Sequence, residues 1–167
     1  MKNRTTRRIC LTALMAAIIY VFTAYIHVPS HTGYTHVGDG FLYLAASLLP
    51  APFAAAAGAI GAGLADLLSG YGIWAPGTVI IKVLTAFCFT NRREKLVNKR
   101  NVLGILPALV LCVGGYYLYE ALITGNFTAS ALGIPGYLTQ VALSSIVYLA
   151  LGSALDRAGI KKKLGEI

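Results

Sequence analysis

The 167-residue sequence predicts an all-α integral membrane protein, one domain built as a bundle of six transmembrane helices with both termini in the cytoplasm. Two observations carry that expectation. Hydrophobic residues make up 57% of the chain and charged residues only 12%, about half the charged fraction of a soluble domain. The mean hydropathy of +0.70 leaves too little polar surface to cover a water-soluble core, which excludes a disordered chain, a disulfide scaffold and nearly any soluble enzyme. The second observation is that 13 of the 14 Lys and Arg residues fall in three clusters, over residues 2–8, 92–100 and 157–163.

Helix one is expected at 8–26, ended by Val28-Pro29. Its basic start resembles a signal peptide, but the run from Ile9 to Ile26 is too long for an h-region and no A-x-A site follows it. Helix two, at 38–50, would reach only about 20 Å, so it is either buried among the others or begins earlier in the preceding loop. Pro50-Ala51-Pro52 makes a corner into helix three at 52–70, which the run Ser69-Gly70-Tyr71-Gly72 ends. Helix four follows at 76–90 and helix five at 103–124, and Gly133-Ile134-Pro135-Gly136 opens helix six at 136–156. An even number of spans puts both termini beside the 91–101 loop. All three basic clusters then share one face, while the opposite loops (27–37, 71–75, 125–135) hold no Lys or Arg. The positive-inside rule makes the basic face cytoplasmic, in a plasma membrane. The net charge of +8 therefore signals topology and not nucleic acid.

Charge in hydrocarbon is costly and marks partners or function. Four such residues stand in the apolar stretches: Asp39, Asp66, Lys82 and Glu120, all within the outer third of the predicted bilayer. Aromatic residues share that layer, among them Tyr25, Tyr34, Tyr43, Tyr71, Trp74, Tyr116, Tyr117, Tyr119 and Tyr137. Helical spacing pairs Asp39 with Tyr43 and Tyr116 with Glu120 at i,i+4, and puts Thr78 on one face with Lys82. Such a set suits a flat, nitrogen-containing ligand, stacked on Tyr and Trp while carboxylates accept from its N–H or cationic groups. The substrate-binding candidates are thus Asp39, Tyr43, Asp66, Trp74, Lys82, Tyr116 and Glu120. The plainer alternative is that Asp66 and Lys82, on the two arms of one helical hairpin, neutralise each other while the tyrosines anchor an interface.

The segment from Thr32 to Gly40 reads as a flexible flap, with Tyr34, His36 and Tyr71 as lid residues. His27, His31 and His36 match no metal-ligand spacing, and Cys10, Cys88 and Cys112 form no C-x-x-C pair, so no metal site is expected. Small residues crowd helix three, where Ala54 to Ala57 are followed by Gly58, Gly61, Ala62, Gly63 and Ala65; neighbouring backbones can approach closely there. Ala13 and Ala17 form an A-x-x-x-A face on helix one, which suits either a contact inside the bundle or docking to a second membrane protein. No Walker motif, nucleophile elbow or H-E-x-x-H is present, so neither an enzyme nor a self-powered ATPase is expected.

Gly38-Asp39 opening helix two, the segment from Gly61 through Asp66 to Gly70-Tyr71, then Trp74, Pro76, Thr78 and Lys82, with Ala13/Ala17 on helix one, resemble the S components of energy-coupling-factor (ECF) vitamin transporters, closest to the riboflavin-transporter-like branch. The resemblance implies a small membrane protein that captures a micronutrient at its outer side. It implies association through Ala13 and Ala17 with a membrane scaffold (T) subunit and two ATPase subunits, which alone bind ATP, so that the chain itself carries no cofactor. It also implies lids around Tyr34 and Trp74, and delivery by toppling in the bilayer. The expected ligand is a heterocyclic vitamin or precursor: a B6 vitamer, a hydroxymethylpyrimidine, a flavin or a queuosine precursor. The competing reading is a self-contained ion-coupled transporter using Glu120 or Asp66 as its proton-carrying carboxylate.

Overall fold

The structure, a computed structural model, describes residues 2–29 and 34–164, excepting the side chains of residues 2 and 3. Thr32 and Gly33 of the expected flap, and His31 before it, lie outside the described residues. The chain is almost entirely helical, and each of the six expected segments contains a helix. Four segments are long and apolar enough to cross a membrane: Arg4–Ala24, Ala51–Leu68, Lys99–Thr124 and Phe127–Arg157.

Helix α1 runs Lys2–Ala24 and leads into two short antiparallel strands, β1 (His27–Pro29) and β2 (Tyr34–His36), with His27 opposite His36. Tyr34, Thr35 and His36 of the expected flap are thus the second strand of a hairpin. Its Thr35 hydroxyl donates to the Gly136 carbonyl at 3.3 Å, tying it to the last long helix. Helix α2 (Gly38–Leu48) is buried at every position from Gly38 to Ser47, the first of the two options open for this short piece. It stops two residues before the expected end because Leu49 precedes a proline and takes an extended conformation, ψ 154°.

Helix α3 (Ala51–Leu68) starts with Pro52 in its first turn and is followed by Gly70 at φ +85°. It packs against α1 on one side and α4 (Ala75–Ala86) on the other. Its glycines make this possible by facing three different helices. A Cβ on Gly61 would sit 2.5 Å from the Ala16 carbonyl oxygen of α1, one on Gly58 2.7 Å from Leu42 of α2, and one on Gly63 2.9 Å from Val79 of α4. Close backbone approach of this kind replaces the hydrophobic drive that lipid removes. Gly61→Ala is expected to force α1 and α3 apart and lower stability by about 1–3 kcal/mol, visible as a reduced melting temperature of the purified protein. Gly72→Ala, whose added methyl meets nothing closer than 3.7 Å, should leave that temperature unchanged.

Helix α4 ends at Ala86, four residues short of the expected boundary. The N–H groups of Phe87, Cys88 and Phe89 bond three residues back, tightening the last turn. Groups from the next helix then hold the chain: Arg100 Nη1 donates to the Cys88 carbonyl at 2.7 Å, and the Thr90 N–H donates to Asn101 Oδ1 at 2.9 Å. The expected fifth helix is α6 (Ile105–Thr124), preceded by a short helix α5 (Lys99–Leu103) that begins in the expected loop. Pro107, which has no N–H, cannot bond back across this junction. Helix α7 (Phe127–Ser130) is capped by Asn126, whose side chain accepts from the Ala129 N–H at 2.9 Å. Helix α8 (Ile134–Arg157) packs on α2 and α6, and α9 (Ile160–Leu164) closes the described chain.

The three basic clusters meet at one end of the bundle. Arg8 shares a cavity with Arg92, Arg93 and Arg100, and Lys161 Nζ donates to the carbonyls of Asn91 and Arg93. At the same end Asp156 accepts from the N–H groups of both Leu96 and Val97, at 2.7 and 2.9 Å. The hairpin and the aromatic layer occupy the opposite end. The flanks between are apolar, with side chains such as Leu122 (76% exposed) and Val110 (69% exposed) turned outward, a surface suited to lipid.

Candidate functional site

The hairpin end encloses a pocket lined by Tyr34 and His36 from β2, Asp66 from α3, and Trp74 and Thr78 at the start of α4; Tyr116 of α6 with Tyr137 and Gln140 of α8 complete it. Local chemistry puts each of them there. The Gly72–Trp74 turn, entered after Gly70, swings Trp74 back over the bundle and continues directly into α4. Gly77 lets the Tyr119 ring lie flat on α4, since a Cβ there would fall 2.5 Å from that ring. Tyr119 in turn donates to the Ile73 carbonyl at 2.8 Å, fixing the Trp74 turn. On α8, Tyr137, Gln140, Val141, Ser144 and Tyr148 recur at three- and four-residue spacing as its buried stripe.

Aromatic rings form the walls. Tyr116 and Tyr137 stack at 5.3 Å between centroids with 23° between planes, and Trp74 stands 6.2 Å from Tyr116. Tyr34 closes the mouth, its ring 4.7 Å from that of Tyr71 and its hydroxyl donating to Asp66 Oδ1. The second Asp66 oxygen is buried with no hydrogen-bond partner among the described residues. An unmatched buried acceptor is expensive, and this one lies on a residue that lines the pocket. The free space between these side chains is about 30 Å³, enough for about two waters.

Behind the walls lies a layer of charge. Lys82 Nζ contacts both Asp39 oxygens, at 2.7 and 2.9 Å, and Gln140 Nε2 donates to the same carboxylate at 2.8 Å. Both partners of this ion pair are almost fully buried, and Lys82 Nζ also sits 5.0 Å from the centre of the Tyr116 ring. The partner of Lys82 is thus Asp39 and not Asp66: the pairing of Asp66 with Lys82 considered from sequence is not formed, and Asp66 bonds the lid tyrosine instead. Glu120 Oε2 accepts from the Tyr137 hydroxyl at 2.6 Å and lies against Gly133, the residue preceding α8. The positive end of that helix dipole favours a carboxylate there.

Of the residues singled out from sequence, Tyr34, His36, Asp66, Trp74 and Tyr116 line the pocket, and Tyr71 supports its lid. Asp39 and Glu120 stand one hydrogen bond behind it, on Gln140 and Tyr137, and Lys82 stands behind Asp39. Tyr43 is elsewhere: it is fully buried, stacked 4.7 Å from Phe89 and edge-on to Tyr148, in the core toward the basic end. The α2 register accounts for this. Four residues after Asp39 is one turn further from the hairpin, so the two share a face without sharing a depth. Sequence reasoning missed Gln140 as a site residue. The only amide side chain of α8, three residues after Tyr137, was the available signal.

His36 is buried, and its Nδ1 accepts from the Gly38 N–H at 3.1 Å, so the ring is neutral with its proton on Nε2. Burial holds its pKa down at about 4 against the ordinary 6.5, Asp39 working in the opposite sense and Lys82 and His27 in the same. Any open or unfolded form therefore binds a proton more readily than the closed one. Stability contributed by the neutral ring is complete above pH 6.5 and declines as the pH falls from 6.5 to about 4. Melting temperatures measured across that window should fall more steeply for the native protein than for His36→Gln, whose amide accepts without titrating.

At the hairpin-distal part of α1, Ala13 and Ala17 are exposed on an open apolar groove between α1 and α3. Among the described residues no three His, Cys, Asp or Glu side chains converge as a metal-binding group. The chain matches, over residues 3–157, the model of a family described as "ECF-type riboflavin transporter, S component". No curated protein matches it.

Proposed function

The chain belongs to the family of ECF-type riboflavin transporter S components, and from that premise we propose that its pocket captures a flat nitrogen heterocycle at the outer face of the plasma membrane for delivery inward. Membership makes it a membrane protein and the substrate-specific subunit of a vitamin transporter, and implies association with T and ATPase subunits; that the ATPase subunits number two belongs to our reading. In our reading the short helices α2 and α4 complete six spans. The shared basic end faces the cytoplasm with both termini, and the hairpin faces outward.

The observation that carries the ligand class is the pocket's composition. Tyr116, Tyr137 and Trp74 offer ring faces, and the unmatched Asp66 oxygen offers an acceptor to a ring N–H. Asp39 and Lys82 neutralise each other, so the carboxyl groups of Asp66 and Glu120 set the local sign, which favours a neutral or cationic ligand over an organic acid. Opening is required first, because 30 Å³ is too small for any such ring. The hairpin is the mobile part in this reading, its Tyr34 latch parting from Asp66 and Tyr71 to admit the ligand.

Trp74, the single tryptophan, reports on the reaction directly. Titrating purified protein with riboflavin, pyridoxine, a hydroxymethylpyrimidine, a deazapurine and citrate should give saturable quenching by at least one heterocycle and none by citrate. Saturable quenching by citrate alone rejects the assigned ligand class. In the same assay Asp66→Asn, which keeps an acceptor for Tyr34 but loses the charge, should weaken binding about ten-fold or more.

A further inference from the structure

The basic end carries a second cavity that vitamin capture does not use. Arg8 of α1, Arg92 and Arg93 of the 87–98 loop and Arg100 of α5 line it, together with Pro50 and Pro52. No carboxylate is among its lining residues, although Glu94 belongs to the same loop. Arg8 Nε is buried without a hydrogen-bond partner among the described residues, and the guanidinium lies 5.8 Å over the ring of Phe53. Arg100 is held in place by the Cys88 carbonyl. Four arginines lining one cavity, one of them with a buried N–H donor unused, suit phosphate oxygens.

Phe53 is also the first residue of the apolar groove between α1 and α3, whose walls include Ala13, Ala17, Ile60 and Leu64. The cationic cavity and the groove therefore adjoin where the Arg8 guanidinium lies over Phe53. From Phe53 to Leu64 the groove climbs about 16 Å along α3, close to the roughly 15 Å depth of one bilayer leaflet. A cationic receptor at the interface, continuous with an apolar channel one leaflet deep, matches a molecule with a phosphate head and an acyl tail.

We propose that this face binds an anionic phospholipid of the cytoplasmic leaflet, its phosphate on Arg8, Arg92 and Arg93 and one acyl chain in the groove between α1 and α3. A free phosphate would leave the groove empty, and a zwitterionic lipid would bring no net charge to the arginines. The acyl chain covers Ala13 and Ala17, so lipid and scaffold compete for one surface, a consequence that rests on the docking reading above.

The test is native mass spectrometry and thermal melting of the full-length protein in detergent, titrated separately with phosphatidylglycerol, phosphatidylcholine and inorganic phosphate. Phosphatidylglycerol should stay bound and raise the melting temperature, phosphatidylcholine much less, and inorganic phosphate not at all. The combined variant Arg8→Gln, Arg92→Gln, Arg93→Gln should lose phosphatidylglycerol affinity roughly a hundred-fold, from about 1 kcal/mol per charge removed. The corresponding triple Lys variant should keep most of it and so separates lost charge from lost folding. Equal binding of the two lipids, or undiminished phosphatidylglycerol binding by the Gln variant, overturns the proposal. Stabilisation by inorganic phosphate alone overturns it in favour of a free-anion site. If the Gln variant loses only association with the scaffold subunit while its lipid binding is intact, the arginines serve a protein interface and the proposal fails.

Discussion

Lys82→Met will cost the protein about 3–5 kcal/mol of stability and with it high-affinity ligand binding. Removing the ammonium leaves the Asp39 carboxylate buried, with the Gln140 amide as its remaining hydrogen-bond donor among the described residues. Desolvation of an unpaired carboxylate then works against the closed bundle. The ion pair ties α2 to α4, and Gln140 adds α8, so three helices relax together when it goes. Melting of purified protein in detergent measures the loss. The double variant Lys82→Met, Asp39→Leu removes both charges and should regain most of the melting temperature, because a buried pair exchanged for apolar side chains is often neutral or better. A single variant as stable as the native protein would mean that the pair is solvated and does not organise the site.

Ala17→Trp should abolish uptake by cells while leaving ligand affinity in the purified protein unchanged. Ala17 is exposed on α1, which supplies no residue to the aromatic pocket. A bulky indole there fills the groove that the scaffold would use and leaves the bundle's own packing intact, since the α1–α3 contact is made by Ala16 and Gly61 on the neighbouring face. Uptake of radiolabelled vitamin and tryptophan-independent calorimetry on the same variant separate the two effects. A parallel fall in affinity would show that this face belongs to the ligand site and would remove the docking role.

Much of this arrangement was legible in the sequence because membrane chemistry is sparing with charge and with small residues. Four charged residues in apolar segments pointed to the layer where the pocket forms, and the Pro and Gly breaks placed the helices to within a few residues. Two kinds of information were missing. Which charge meets which depends on helix rotation, so Asp39, Asp66 and Lys82 could be assigned to a layer but not paired; the structure gives Lys82 to Asp39 and Asp66 to Tyr34. Depth within a helix was the other gap. Tyr43 shares a face with Asp39 yet stacks on Phe89 in the inner core, whereas Gln140, chemically quiet in a sequence, fixes the carboxylate that the whole site is built around. The hairpin escaped notice for a similar reason. Two three-residue strands are too short to show alternation, and they owe their order to Tyr34 and Thr35 docking on α3 and α8.

Asp156 shows how location alone misleads. As a carboxylate at the basic end, away from the pocket, it looks like a neutral control for substitutions in the pocket. It accepts from two backbone N–H groups of the 87–98 loop, so Asp156→Ala should loosen that loop and cost about 1–3 kcal/mol, read as a lower melting temperature with unaltered ligand stoichiometry.

The most direct test of the assigned pocket is mass spectrometry of the small molecule that remains bound when the protein is purified alone and with its scaffold and ATPase subunits. The pocket geometry predicts an aromatic nitrogen heterocycle, retained by the native protein and lost from Tyr116→Ala and Asp66→Asn. An aliphatic acid in its place, or a heterocycle retained equally by both variants, would contradict it.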